Sequence, residues 1–479
     1  MNKIKTLMAI LLAIMPTLVF AVPEKPPGDS NGGPGGSSSG SVSYTGVTTF
    51  SSSMTESSKT YDSTNGSENA LLVSGGESTI NSCIVTKSGD ASGDNADFFG
   101  INAAILVYNG GVLNIKGGSV TTNGSHANAV FAYGTGTINL DDVVINTSSN
   151  NSGGVMVTGG GTLTANNCTV KTLGNSSAAI RSDRGGGSLT VNGGTYETNG
   201  VGSPAVYSTA DITINNASLT STASEGLVVE GANSITINNT TVTDTNNTLN
   251  GNSETYKNIF LYQSMSGDAD EGTSSFTAKN SKLITNKGDT IFVTNTKATI
   301  NLENNTITNN DGDFLRIQTG KWGTSGSNGG VVTLNMTNQK VDGNIIVDSI
   351  STLDMSMNGG SVLVGSINNA NQAKSITLSL SSDSVLSLTS DTYITSLENE
   401  VSDNSNIYSN GLYKLYVDGT EVSINSGTYT LEENAKSTDN SNVSTDNDNS
   451  NIYYIIGGCL LIIIVVCILF FVKSKNKNS

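Results

Sequence analysis

Short apolar runs alternate with polar residues through the middle of the chain, and their positions recur in a fixed frame. In register, the copies read Ala104-Ile-Leu-Val107 with Leu113 to Val120, then Ala129-Val-Phe-Ala132 with Ile138 to Ile145. Gly154-Val-Met-Val157 with Leu163 to Val170 and Ala179-Ile-Arg-Ser182 with Leu189 to Tyr196 follow, and successive starts lie 25 residues apart. The frame returns from Ala70, Ala205, Gly226, Asn258, Thr290 and Phe314, lengthens where segments such as Ala91–Phe99 or Asn246–Asn258 are inserted, and fades near Ile345. A period in the range of about 20–50 residues marks stacked units, each covering its neighbour's apolar face.

Within one unit three β-branched or alternating runs, for example Ile105–Val107, Val112–Ile115 and Ser119–Thr121, are split by Gly and Asn. Three strands and three turns make one coil. Between the second and third runs stands an apolar residue, two polar ones, a small one, any residue and an apolar one, as in Ile214-Asn-Asn-Ala-Ser-Leu219 and Leu302-Glu-Asn-Asn-Thr-Ile307. Asn tolerates left-handed backbone angles, so stacked copies of Asn216 and Asn239 predict an amide ladder along one corner, with the small residue turned inward. Leucine-rich repeats need regular leucines and propellers need four strands per unit, and neither fits. The predicted fold is all-β: a right-handed parallel β-helix of about ten or eleven coils over 42–373, some 50 Å long at the interstrand rise of about 4.8 Å. Ile376–Leu380 and Tyr413–Val417 are strand-like but leave the frame, so 374–431 is predicted to cap the open end. Cys83 and Cys168 share the small corner position with Gly118 and Val143 between them. Three rises separate them by about 14 Å, beyond the roughly 7 Å between Cα atoms that a disulfide spans.

The two ends point to location. Residues 1–21 combine Lys3 and Lys5, an apolar run and Val19-Phe20-Ala21, the pattern of a secretory signal peptide. Residues 22–41 form a Pro/Gly/Ser linker and 432–451 a polar stalk, neither with enough large apolar side chains to order itself. Ile452–Val472 carries no charge and holds Cys459 and Cys467; at about 31 Å as a helix it is long enough for one transmembrane crossing. The basic tail 473–479, with Lys473, Lys475 and Lys477, is then cytoplasmic, and the bulk of the chain extracellular.

Composition narrows the function. The formal charge is −17, and it opposes any general attraction to nucleic acid. Leaving out the five lysines of the two ends, 18 basic and 40 acidic residues remain outside the membrane, a balance of −22. With His126 as the one histidine, zinc sites needing two or three imidazoles are excluded.

Candidate chemistry is sparse. Arg181, Asp183 and Arg184 make the densest basic group: an acidic-glycan lyase needs a metal-binding carboxylate cluster and a base beside the α-carbon, and the bland alternative is an outward salt bridge. Asp90, Asp94 and Asp97, and likewise Asp268, Asp270 and Glu271, have the carboxylate spacing of oxygen-rich Ca²⁺ loops, as does Asp311 with Asp313, without matching an EF-hand. Solvated loops are the favoured reading of all three. Trp322, the single tryptophan, lies in the Gly-rich excursion Gly320–Gly330, where it stacks on a sugar ring or caps the core. No residue is assigned a catalytic role. Ordered Thr rows of the ice-binding kind are not expected, because outward positions mix Asn, Lys, Asp and Ser.

The stretches Ser88-Gly-Asp-Ala91, Ser177 to Gly187, Ser203 to Asp211, Tyr262 to Asp268 and Ile346 to Met355 resemble adhesin-like surface β-helix proteins of gut Firmicutes, over roughly 42–431. The resemblance implies a pectin-lyase-like right-handed β-helix on a bacterial surface. Many such proteins are wall-anchored; no LPxTG-like motif occurs here, which leaves the membrane helix as the predicted anchor. The expected function is that of a membrane-anchored cell-surface adhesin-like protein binding a glycan or a protein ligand on host or neighbouring cells, without nucleic acid and with Ca²⁺ as the one candidate cofactor. The alternative is a lyase or hydrolase of acidic glycans, although the Asn-Thr-Asp, Gly-His-Gly and Arg-Ile-Lys set of polygalacturonases is incomplete: Asp141-Asp142 sits at a repeating turn, and His126 lies in Gly-Ser-His-Ala.

Overall fold

The structure, a computed structural model, describes residues 42–249, 253, 255–429 and 431. The predicted signal peptide, leader, stalk, transmembrane helix and basic tail lie outside the described residues. Among the described residues no helix is long and apolar enough to cross a membrane.

The chain winds into an all-β parallel solenoid of about 15 turns, not ten or eleven. At a rise of about 4.8 Å per turn the stack is about 70 Å long. Its first face is a 12-stranded parallel sheet running from Gly46–Phe50 to Ile345–Val347. An isolated bridge between Ile345 and Ile367 and the paired strands Thr392–Ile394 and Leu415–Val417 continue it. The second and third faces share a 22-stranded sheet that bends through the Asn corner, and a four-stranded sheet from Lys340–Asp342 to Ile407–Tyr408 completes the third. The extra coils escaped the 25-residue frame for two reasons. The first coil is mostly polar, and the rungs at Ile345, Ile367, Thr392 and Leu415 follow at irregular steps, with glycine at 359 in place of the corner Asn. Coils therefore continue through much of the segment expected to be a cap. Thr420–Val422 ends them by folding back antiparallel on Leu415–Val417, which removes an open parallel edge.

Strict stacking places like residues in vertical rows. Inward rows such as Val130, Val155, Ile180 and Val206 are fully buried, each side chain adding about 1.5–3 kcal/mol of transfer free energy. At the corner between the second and third faces the backbone turns left-handed at Asp142, Asn167, Asn216, Asn239, Asn280, Asn304 and Asn338, with glycines at 117, 193 and 359. Asn is favoured there because its short polar side chain relieves a conformation that β-branched residues resist. The amide ladder lies one residue earlier than expected. Asn166 donates to Asp141 at 2.7 Å, and Asn192, Asn215 and Asn238 each donate to the Asn below at 3.0 Å. Asn216 and Asn239 supply the turn, and their neighbours supply the ladder. A ladder at the left-handed position itself appears only higher up, from Asn304 to Asn280 at 2.8 Å. Cys83 and Cys168 are buried and unpaired at the inward corner position, as their separation requires. Burial pushes the Cys168 thiol up to about 11, so it is inert at neutral pH.

A second ladder stands at the corner between the third and first faces. The backbone amides of Ala127, Ser152 and Ser177 donate to the hydroxyls of Ser152, Ser177 and Ser203 in the next coil, at 3.0, 2.9 and 2.9 Å. Beside it runs an inward row of Thr122, Thr147, Thr172, Thr198 and Ser221, continued by Asp244. Burial lifts the Asp244 carboxyl to about 8. At neutral pH it is mainly protonated and carries an O–H where the row otherwise carries hydroxyls.

Two tests follow from these rows. Ser177→Ala deprives the buried Ser152 amide of its acceptor and should lower the unfolding free energy by about 1–3 kcal/mol in urea titration, while the same change at exposed Ser188 should stay within about 0.5 kcal/mol. For Asp244, the unfolded carboxyl ionises near its ordinary value of about 4, whereas the folded one holds its proton to about 8. Its contribution to stability therefore falls as pH rises through that window and is level above it. Asp244→Thr should gain nothing over the parent at pH 4 and most at pH 8, read from urea midpoints across that range.

Candidate functional site

On the first face the middle residue of each rung turns away from the core. Leu72, Leu106, Phe131, Met156, Arg181, Tyr207, Val228, Phe260, Phe292 and Arg316 stack in one such row. Ordinarily an outward row is polar. This one is largely apolar because insertions fold over it. The insertion between Lys87 and Ala104, with its single helical turn Asp94–Phe99, accompanies a cluster of Leu72, Leu106, Phe131 and Met156 with Tyr44, Tyr108 and Tyr133. Further along, Val228, Phe260, Tyr262 and Phe292 form another cluster with Tyr207 and Trp322 against it.

Between the two clusters lies a charged knot. Arg181 grips Asp183 with Nη2 at 2.7 Å and Nε at 3.2 Å, and the Arg184 amide donates to the same carboxylate at 3.1 Å. Burial lifts the Asp183 carboxyl to about 6 against the pull of Arg181, so the pair is charged at neutral pH. Arg184 reaches two insertions at once: Nη1 donates to Asp94 at 2.9 Å and Nε to Asp268 at 2.7 Å, while its guanidinium lies 3.8 Å over the Phe98 ring. From Asp268 the network passes through Ser266 at 2.9 Å and Ser264 at 2.7 Å to buried Glu230. Glu230 accepts hydrogen bonds from Ser264, Tyr207 and, at 2.8 Å, Tyr262. Burial raises the Glu230 carboxyl and pushes both phenols well above their ordinary value. Asp97 sits at 2.6 Å from His126 Nδ1, and the Asn151 amide donates to Nε2 at 2.9 Å, which assigns the proton to Nδ1.

The neighbouring cluster is aromatic. Phe260 stacks on Tyr262 with centroids 4.4 Å apart, Phe292 is 5.8 Å from Phe260, and Trp322 is 5.8 Å from Tyr262. Beneath them, Lys257 Nζ lies 4.5 Å over the Phe260 ring and 3.3 Å from Glu225, both charges being buried. Burial opposes ionisation of Glu225, but the Lys257 ammonium and the Ser224 hydroxyl outweigh it and hold the carboxyl below its usual range. A cleft opens here, lined by Thr255, Lys257, Phe260, Phe292, Thr294, Gln318 and half-buried Trp322. The Trp322 loop is firmly tied. Buried Asn328 donates to the carbonyls of Gly320 and Trp322 at 2.8 and 2.9 Å, and Asp348 accepts the Thr319 amide at 2.7 Å. Gly323 adopts φ +80°, and a Cβ there would meet the Asn295 side chain at 2.2 Å.

The structure thus brings Arg181, Asp183, Arg184, Asp94 and Asp268 together, with Asp94 and Asp268 lying 90 and 84 residues on either side of Arg184 in sequence. It sends their neighbours elsewhere. Asp90 accepts the Ser125 amide at 2.7 Å, Asp97 faces His126, Asp270 and Glu271 are exposed, and Asp313 pairs with Arg316 at 2.6 Å. Among the described residues no group of three or more His, Cys, Asp or Glu is arranged to hold a metal ion. Glu225, Glu230, Lys257, Tyr207 and Arg316 carried no local signal of a site; their one common mark is a charged or polar residue at a repeat position that is otherwise apolar or small. No protein-family model matches this chain, and neither a curated protein nor a solved structure is significantly similar to it.

As the shared anchor of two insertions, Arg184 is the residue whose loss should free them. Arg184→Ala should raise amide exchange in 88–103 and 263–272 by about tenfold, equivalent to roughly 1.4 kcal/mol for partly exposed pairs, with the solenoid's circular dichroism unchanged. Millimolar Ca²⁺ should leave the unfolding midpoint in place, because Asp90, Asp94, Asp97 and Asp268 already accept from protein donors.

Proposed function

We propose that this chain is a membrane-anchored, surface-displayed adhesin-like β-helix that binds glycans through the loop-bearing first face. The winding would be right-handed, as parallel crossover connections almost always are, in keeping with a pectin-lyase-like architecture. The signal-peptide pattern of 1–21 and the uncharged run of 452–472 support display outside a cell. The observation that carries the reading is the Trp322 loop, held in place by Asn328 and set over an aromatic floor. A preorganised aromatic on a rigid scaffold loses little entropy when a ligand settles on it.

The charge cluster favours adhesion over the lyase or hydrolase alternative. Arg181 and Arg184, the groups a lyase would turn on a uronate or its α-proton, are both committed to carboxylates. Asp183 and Asp268 are in turn committed to them. A catalytic role would require breaking the largely buried Arg181–Asp183 pair, at a cost of several kcal/mol, and releasing Arg184 from both of its carboxylates.

Retention on immobilised polysaccharides, measured alongside unsaturated-uronate absorbance and new reducing ends, tests both readings. The expected result is retention without turnover, weakened at least tenfold by Trp322→Ala. Turnover that disappears in an Arg181→Ala/Arg184→Ala variant would establish the enzyme instead.

A further inference from the structure

The two ends of the solenoid are finished differently. At the far end Thr420–Val422 turns back antiparallel on Leu415–Val417 and covers the last rung of the first face. At the near end the first coil consists of Gly46–Phe50, Thr55–Ser57 and Thr60–Ser63, one strand for each face. Each pairs with the second coil alone, the first with Asn69–Val73 and the other two with Glu77–Lys87. Among the described residues nothing pairs with their other side. The Phe50 carbonyl accepts the Ser74 amide, so strand alternation turns the N–H and C=O of exposed Thr49 towards the free side. This tip is also flush. Phe50 and Tyr61 meet edge to face at 6.2 Å and are 5% and 6% exposed, so the apolar interior is already closed beneath a ring of strand edges.

The chain's own leader is ill suited to this edge. Residues 22–41 hold four prolines and, after Val22, neither a β-branched nor an aromatic residue, a composition depleted in strand formers. The chain also reaches the first coil from the side. The Tyr44 ring lies 4.5 Å from Tyr108 and 6.4 Å from Tyr133, in the third and fourth coils, which sets its approach along the flank of the first face and not across the tip. A second copy supplies what the edge lacks. Gly46-Val-Thr-Thr-Phe50 is a strand-forming run, and Val47 and Met54, 53% and 40% exposed, hold two apolar side chains in water beside it. Charge permits the contact: residues 42–63 carry Glu56, Asp62 and Lys59, a balance of −1 against −17 for the whole chain. The tip is thus nearly neutral on a molecule whose copies otherwise repel one another.

We propose that the first coil is a self-association surface at which two copies of this chain meet tip to tip about a two-fold axis. The axis is perpendicular to both solenoids, so Gly46–Phe50 pairs antiparallel with its own equivalent, and the Thr55–Ser57 edge of each copy meets the Thr60–Ser63 edge of the other. Glu56 and Lys59, 3.7 Å apart on either side of the corner that the axis crosses, exchange partners across the junction. Head-to-tail stacking is blocked by the antiparallel strand at the far end, and a closed pair leaves no edge on which to grow. Under the surface-display reading given above, the tip is the end remote from the anchored segment, and the two copies belong to opposing cells. The contact itself does not depend on that reading.

The experiment follows the mass of the full-length chain in detergent by sedimentation across concentrations, the distance between spin labels in the associated form, and the tethering of vesicles that carry the chain. The expected result is a reversible monomer–dimer equilibrium with a short distance between labels on Ser53→Cys and none measurable between labels on Thr420→Cys. Thr49→Pro removes an edge N–H without touching a bond to the second coil, and Val47→Lys sets a charge on the edge. Each should weaken the dimer about tenfold or more, with circular dichroism and the urea midpoint unchanged, whereas Val144→Lys, at an exposed position on the third face, should leave it intact. Monomer at every concentration, or a dimer indifferent to both tip variants, would overturn the proposal. A monomeric parent that dimerises only once 22–41 is deleted would assign the edge to the leader and overturn it as well. Tethering that requires the chain on both vesicle populations and is lost in Thr49→Pro would support contact between opposing membranes. A tip dimer without tethering would overturn that arrangement and leave the tip contact standing. Retention on glycans should be the same in all these variants, so the glycan reading stands or falls separately.

Discussion

Rung-on-rung hydrogen bonding between successive coils governs everything else in this molecule. Because each strand pairs in parallel with the coil before it and the coil after it, a residue's environment is made by its equivalents one rise away. A carboxamide, a serine hydroxyl or a methyl group is favourable when its neighbours above and below are of the same kind. The Asn ladder from Asn166 to Asn238 and the serine ladder from Ser152 to Ser203 are two results of this rule. Asp244, which enters a row of hydroxyls as a largely protonated acid, is a third.

The same rule explains where variety is allowed. The second and third faces carry few insertions, and their outward rows remain regular and mostly polar, with Ile84, Val144 and Val331 as exposed apolar exceptions. Around the first face the corners open, at Lys87–Ala104, Tyr262–Thr273 and Ile317–Gly330, where Arg184 reaches Asp94 and Asp268 and Trp322 packs against Tyr262. The outward row of this face gave up its polarity in exchange, so two apolar clusters and a charged knot sit outside the solenoid's own core. Chemistry on this scaffold is therefore concentrated where the repeat is interrupted, and the periodic faces act as its support.

Much of this was legible in the chain, and the part that was not has a common cause. Periodicity exposes positions that recur: the three-strand unit, the left-handed corner at Asn216 and Asn239, and the impossibility of joining Cys83 to Cys168 all follow from repetition. The ladder was displaced by one residue because spacing alone does not tell which of two adjacent asparagines takes the left-handed angle and which aims its amide along the axis. The number of coils was too low because the outermost ones are irregular where solvent replaces a neighbour. The partners of Arg184 were invisible, since Asp94 and Asp268 lie in aperiodic insertions 90 and 84 residues away in sequence. Arg181, Asp183 and Arg184 could be picked out as unusual, but their role as an anchor for two loops belongs to tertiary structure.

The serine ladder bears on how such a molecule changes over evolutionary time. Each coil between Gly154 and Ala205 offers its predecessor the same hydroxyl acceptor, and both neighbours the same inward row and the same corner. A whole coil gained or lost by duplication or deletion in that stretch presents matching surfaces on both sides, while a gain or loss of part of a coil matches neither. The antiparallel strand at Thr420–Val422 and the first coil at Gly46 would be untouched by such an event. Length is thus a heritable variable adjustable in steps of one rise, and the distance between the Trp322 loop and the amino-terminal coil can drift among descendants while the loop itself is inherited intact.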